Sequence, residues 1–298
     1  MRTTKRFTPN LLDRFQKEGR GCGTYTNYRP WHGVSRSDPS SRGRSHLMTW
    51  DGRQRNFLSD DEWVAGLFAL LTPGVDDLRE QYPLNLGTGC HELGAYDVRF
   101  GTPGCPGTLE IADRLGYRHP RVNGNGRSAP WVLTTDLLLS VLDGSGGRQL
   151  LAVACKPADE LSDRVWELLA IERAYWMARD VEWLLITPAL YDEAAELTLR
   201  CTFQWALAEA VDSETRRAAA SLARELEGAP LFFVLDRIGK ALGQSPTVAK
   251  AAFWQSVWSR VLLLDLRRGW RPHLPITFLS ASDFLALNPI ASRRTAWT

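Results

Sequence analysis

Two apolar runs of strand length, separated by five turn-forming residues, constrain this chain more than any other feature. Trp131-Val132-Leu133-Thr134-Thr135-Asp136-Leu137-Leu138-Leu139-Ser140-Val141-Leu142 is rich in strand formers. Asp143-Gly144-Ser145-Gly146-Gly147 is a turn cluster, and Leu150-Leu151-Ala152-Val153-Ala154-Cys155 is the second run. The pattern predicts a β-hairpin. Folded about Ser145, it sets Asp136 opposite Ala154, give or take a residue or two, and Lys156, two residues on, faces the same side. An acid and a base then meet at one end of a sheet, a poor place for charge unless it serves a site.

A third charged group completes a chemically suggestive set. Residues 60–71 carry Trp63, Val64, Leu67, Phe68 and Leu71 on one face and predict an amphipathic helix, with Glu62 in its first turn. Two carboxylates can hold a hard divalent cation, and a nearby amine can steady an attacking water or the charge building on a phosphate. Glu62, Asp136 and Lys156 are therefore candidates for metal-dependent cleavage of a phosphodiester. A structural reading stands beside this one. Ser59-Asp60-Asp61-Glu62 fits a capping box, in which the glutamate bonds the cap's own N–H. Asp136 could equally be a solvated strand-end charge, and Lys156 a solvated residue before Pro157.

At 298 residues the chain can form one large or two ordinary domains. No apolar run is long enough to span a bilayer, and Met1-Arg2-Thr3-Thr4-Lys5-Arg6 is not followed by the apolar stretch of a secretory signal. The expected location is the cytoplasm, with nucleoid association when bound to DNA, and no membrane partner is expected. The five cysteines are odd in number and lack Cys-x-x-Cys spacing, which argues against a disulfide framework or structural zinc.

Charge is unevenly distributed. Residues 1–56 hold 12 Lys/Arg and 4 Asp/Glu, so this arm is +8 in a chain whose net charge is +2. A basic arm on a near-neutral body points to a polyanion. Arg42, Arg44, Arg53 and Arg55, the cluster nearest Glu62 in sequence, are the candidate phosphate contacts. The alternative is a solvated, partly irregular lead-in.

The order of elements predicts an α/β core. Residues 7–18 read as a short helix, 19–56 as irregular, 75–84 as a strand, 85–107 as an inserted Gly- and Pro-rich loop, and 108–116 as a helix. After the hairpin come a helix over 159–179 and a strand over 181–187. Beyond Pro188 the texture is helical, over 192–226, 230–242 and 246–264. A basic turn then leads into a strand at Ile276-Thr277-Phe278-Leu279, a pattern that suggests a winged-helix module. The expected domains are 1–189 and 190–298.

Several segments, in this order and spacing, resemble the TnsA family, endonuclease subunits of heteromeric cut-and-paste transposases. They are Lys17-Glu18-Gly19-Arg20-Gly21, Tyr28-Arg29-Pro30-Trp31 and Pro39-Ser40-Ser41-Arg42-Gly43-Arg44-Ser45-His46. Leu58-Ser59-Asp60-Asp61-Glu62, Leu78-Arg79-Glu80-Gln81-Tyr82-Pro83-Leu84, Thr134-Thr135-Asp136, Lys156-Pro157 and Glu172-Arg173-Ala174-Tyr175-Trp176 follow. The resemblance implies a restriction-endonuclease-like PD-(D/E)XK core with Glu62, Asp136 and Lys156 as its catalytic residues. It implies Mg²⁺, which Mn²⁺ can replace, and cleavage of the 5′, non-transferred strands of double-stranded DNA at transposon ends. The implied partners are a TnsB-like DDE transposase and a TnsC-like AAA+ ATPase, with the C-terminal domain docking on the ATPase.

One position departs from the family pattern. The middle residue of the motif, commonly Asp or Glu and Gln in TnsA, is Ala154. Its side chain cannot bind a metal, so its backbone carbonyl joins Glu62 and Asp136 as the expected third ligand. Two other readings remain open at this stage: a stand-alone nuclease of the same fold, for restriction or repair, and a non-catalytic assembly subunit.

Overall fold

A computed structural model describes residues 6–35, 38, 44–124, 126–157 and 161–297. The protein has a mixed α/β fold in two compact units. The first draws on Met1–Trp63, Gly74–Leu185 and Trp297, and the second on Val64–Pro73 and Ile186–Ala296.

The first unit is built on a four-stranded sheet. Its strands are β3 (Val75–Pro83), β6 (Thr134–Leu142), β7 (Arg148–Cys155) and β8 (Glu182–Ile186), in the order β3-β6-β7-β8. The β6–β7 hairpin pairs Leu137 with Val153 and Leu142 with Arg148, the register expected from a fold about Ser145. Asp143 fixes the turn, its Oδ1 accepting the N–H groups of Ser145 and Gly147 at 2.8 and 2.7 Å. Leu137, Leu138 and Leu139 of β6 and Ala152, Val153 and Ala154 of β7 are all fully buried. A strand covered on both faces reads as a continuous apolar run, which is why the sequence marked it so clearly. At the start of β3, Gly74 has φ +78°, and a Cβ there would stand 2.2 Å from the Leu142 carbonyl oxygen. Only glycine lets the two strands meet so closely.

Helices and two small hairpins accompany this sheet in the chain. They are α1 (Pro9–Lys17), α2 (Asp60–Leu70), α3 (Thr108–Arg114) and α4 (Asp163–Met177), with β1 (His46–Trp50) paired to β2 (Arg53–Phe57) and β4 (Arg121–Gly124) to β5 (Arg127–Pro130). Residues 46–57 are thus a hairpin, where the sequence predicted irregular chain. Its two-residue turn is Asp51-Gly52, with φ +48° and +70°, the backbone that tight hairpins require. Of α2, residues up to Trp63 belong to the first unit. In α4, Leu169, Ile171, Tyr175 and Trp176 are buried.

The second unit is helical: α5 (Glu193–Ala206), α6 (Ser213–Glu225), α7 (Leu231–Leu242), α8 (Pro246–Trp258) and α9 (Ala281–Leu287). The helix expected over 192–226 is two helices. Asp212 starts the second, its side chain accepting the N–H groups of Glu214 and Thr215. Helix α8 is buried at every position from Ala251 to Trp258 and lies at the centre, in contact with α5, α6 and α7. The Asn288 side-chain amide donates to the Phe68 carbonyl at 2.7 Å, tying the Val64–Pro73 segment into this unit. The strand expected at 276–279 does not form. That segment makes one isolated bridge, Phe278 to Leu264, flanked by bonds from the Asp265 N–H to the Thr277 carbonyl and from the Leu279 N–H to the Leu263 carbonyl. Among the described residues, no helix is long and apolar enough to cross a membrane.

Candidate active site

Asp136 and Lys156 meet at the open end of the β6–β7 hairpin. Lys156 Nζ lies 3.4 Å from Asp136 Oδ2, and the Cys155 N–H donates to the same oxygen at 2.7 Å. Lys156 also donates to the Cys155 carbonyl at 2.8 Å. Burial alone would lower the pKa of this ammonium. Asp136, then Glu172, Cys155 and Glu62, outweigh that effect and raise it above the ordinary lysine value. Lys156 is therefore a fixed positive charge.

Glu62 comes from the first turn of α2, and the capping box forms only in part. The Glu62 N–H donates to Ser59 Oγ at 3.2 Å, as expected of a cap. The return bond goes instead to the Leu58 N–H, which reaches Glu62 Oε2 at 2.7 Å, and the Gln81 amide donates to that oxygen at 3.0 Å. Burial first, and the Asp136 charge second, push the Glu62 carboxyl up to about 8. The three predicted residues thus share one electrostatic environment.

Each carboxylate has one committed oxygen. Protein donors converge on Oε2 of Glu62 and Oδ2 of Asp136, and no described residue donates to Oε1 or Oδ1. Among the described residues, no group of three His, Cys, Asp or Glu side chains forms a metal cage. Magnesium does not need one, because it keeps several waters and takes one or two carboxylates. Hard oxygen donors with open lone pairs, in surroundings that resist a second negative charge, suit such a cation. Ala154 is fully buried between Val153 and Cys155.

Three further residues at this site were not singled out by the sequence. Glu172 of α4 is buried and accepts from Thr135 Oγ1 at 2.8 Å and Trp183 Nε1 at 3.1 Å. Burial, then Asp136, push its carboxyl up to about 7, while Lys156 pulls the other way. Asp61 also feels Lys156, although burial and Asp60 raise it overall. Gln81 is the third. Glu172 and Gln81 lie within segments that carried the family resemblance, but nothing in their spacing announced a role.

The basic cluster divides. Arg55 is fully buried and donates to the Leu78 carbonyl, and Arg53 is 8% exposed. Arg53 grips Glu80 with two bonds, at 2.7 and 2.6 Å. These two side chains pin the β1–β2 hairpin to β3 and cannot reach a phosphate, which corrects the expectation that they contact DNA. Arg44 has an 87% exposed side chain and pairs with Asp60 at 3.1 Å. Arg42 lies outside the described residues.

Residues 72–188 match the family described as TnsA-like endonuclease N terminal. Over 236 residues, 78% of this chain and 73% of the relative, the chain is 29% identical to the Transposon Tn7 transposition protein TnsA of Escherichia coli.

Proposed function

We propose that this chain, a TnsA-like protein, is the endonuclease subunit of a heteromeric transposase and hydrolyses the 5′, non-transferred strands of DNA at transposon ends. The observation that carries this reading is the convergence of Glu62, Asp136 and Lys156, with one oxygen of each carboxylate left without a donor among the described residues. The β3-β6-β7-β8 sheet and its flanking helices serve, in this reading, as a PD-(D/E)XK core.

Glu62 and Asp136, with the Ala154 carbonyl, would hold Mg²⁺ or Mn²⁺. A divalent cation there supplies Lewis acidity and neutralises phosphate charge. Asp136 is oriented by the Cys155 N–H, so the strand end itself aims the carboxylate. Glu62 is oriented by Leu58 and Gln81. Lys156 is too firmly protonated to act as a base. Its role is to orient the attacking water or to stabilise charge on the phosphate in the transition state. Hydrolysis would leave a 5′-phosphate and a 3′-hydroxyl.

Arg44 serves as a phosphate contact in this reading. The partners are transposon-end DNA, a TnsB-like DDE transposase that cuts the 3′ ends, and a TnsC-like AAA+ ATPase. The helical second unit is the docking domain for the ATPase. The test is strand-specific nicking of end-bearing DNA with Mg²⁺ and both partners. The parent should nick the 5′ strands and Asp136→Ala should not, while still assembling. Nicking by Asp136→Ala at the parent rate would remove the site from the mechanism. Mg²⁺-dependent cutting without partners would favour a stand-alone nuclease.

A further inference from the structure

We infer that Gln81 is a positioning residue of this site, whose carboxamide holds one oxygen of Glu62 so that the other is turned to the cation. The inference rests on the reading of Glu62 and Asp136 as metal carboxylates and adds a residue that neither motif nor spacing identified.

The backbone gives the first indication. Gln81 lies inside β3, between the paired residues Glu80↔Leu137 and Tyr82↔Thr135, and no ladder pair joins it to Asp136, the residue across from it. Its φ is +49°. A non-glycine residue in this region is uncommon and persists only where its surroundings over-determine it.

Those surroundings are present on every side. The Gln81 carbonyl accepts from the Trp31 N–H at 3.1 Å and from the Tyr28 hydroxyl at 3.5 Å. Its side-chain oxygen accepts from Thr134 Oγ1 at 3.5 Å, and its NH₂ donates to Glu62 Oε2 at 3.0 Å. The residue is 2% exposed. Glycine would adopt this backbone freely. What the position gains from glutamine is the reach of an amide to Glu62.

The chemistry of that donor fits the task. Glu62 is buried within the field of a second carboxylate, Asp136, so its ionised form needs hydrogen-bond donors. A lysine or arginine would supply one but would also repel a cation. A carboxamide donates without charge. Partners of this kind, bonded to a ligand rather than to the metal, commonly change metal affinity by about 10–100-fold when removed.

The test uses Mn²⁺ binding to the full chain by titration calorimetry, with thermal unfolding in parallel. Gln81→Met keeps length and bulk but loses the donor. Gln81→Gly loses the donor and relieves the backbone, so it carries the test if Gln81→Met does not fold. Both should bind Mn²⁺ at least about tenfold more weakly than the parent, each compared at a temperature where its unfolding trace shows it folded. A purely structural role would leave the affinity of Gln81→Gly unchanged. If both variants bind Mn²⁺ like the parent while Asp136→Ala loses binding, the inference is overturned and the site reading stands. If Asp136→Ala also binds like the parent, the site reading itself falls.

Discussion

Lys156 Nζ lies 3.4 Å from Asp136 Oδ2, and this contact sets the charge of the lysine. Buried alone, the ammonium would tend toward neutrality and could accept a proton. Beside Asp136 it is held charged, well above its ordinary range. Two of its bonds go to Asp136 and the Cys155 carbonyl. An ammonium has three donors, so one is left for a substrate oxygen.

The first prediction concerns that charge. Lys156→Met should slow single-turnover 5′-strand nicking by about 10²–10³-fold, the usual cost of losing one donor aimed at developing charge. Complex assembly, followed by gel shift, should not change. A variant that cuts within a factor of about two of the parent would exclude an electrostatic role for Lys156.

The second prediction follows from the two raised carboxyls. Glu62 is pushed up to about 8 and Glu172 to about 7, both from an ordinary value of 4.5. Through these two groups the folded state keeps protons that the unfolded chain releases, so their contribution to stability falls as pH rises, while the buried His32, held down to about 4, acts the other way between about pH 4 and 6.5. For Glu62 this contribution is complete below about pH 4.5 and is lost as pH climbs to about 8. In metal-free protein, the unfolding midpoint of the parent should lose ground to that of Glu62→Gln as pH climbs across this window. A Glu62→Gln midpoint that tracks the parent at every pH between these limits would contradict the burial assigned to Glu62.

The third prediction separates two arginines. Arg55→Ala breaks a fully buried cluster with Asp77 and Glu80 and should cost about 3–5 kcal/mol in denaturant unfolding. Arg44→Ala removes an exposed charge and should change stability by no more than about 0.5 kcal/mol. Only Arg44→Ala should lower the salt dependence of DNA binding, by about one unit of log–log slope. The reverse assignment would restore Arg55 as a DNA contact.

The hairpin and its charged end were legible in the sequence because they depend on local rules. A turn cluster between two apolar runs fixes a register, and the register places Asp136 and Lys156 together. The β1–β2 hairpin was not legible, although Asp51-Gly52 is a strong turn signal. Its inward residues on β2 are Arg53, Arg55 and Phe57, so two of the three core positions read as polar. Their burial depends on Glu80, Asp77 and the Leu78 carbonyl in β3, which no local pattern reveals. Gln81 and Glu172 were missed for the same kind of reason. One depends on a reversed backbone angle and the other on the side chains of Thr135 and Trp183. In the second unit, the break before Asp212 was hidden by an unbroken Ala- and Leu-rich composition. The segment 276–279 has strand-like composition, but it pairs with the chain around Leu264 at a single bridge, too short a ladder to make a strand.

The most direct test of the account is anomalous scattering from crystals of the protein grown with Mn²⁺. A single strong peak between the Glu62 and Asp136 carboxylates, on the Oε1 and Oδ1 side and lost in Asp136→Ala, is the predicted result. An absence of density there at saturating Mn²⁺, or a peak that survives the loss of Asp136, would contradict it.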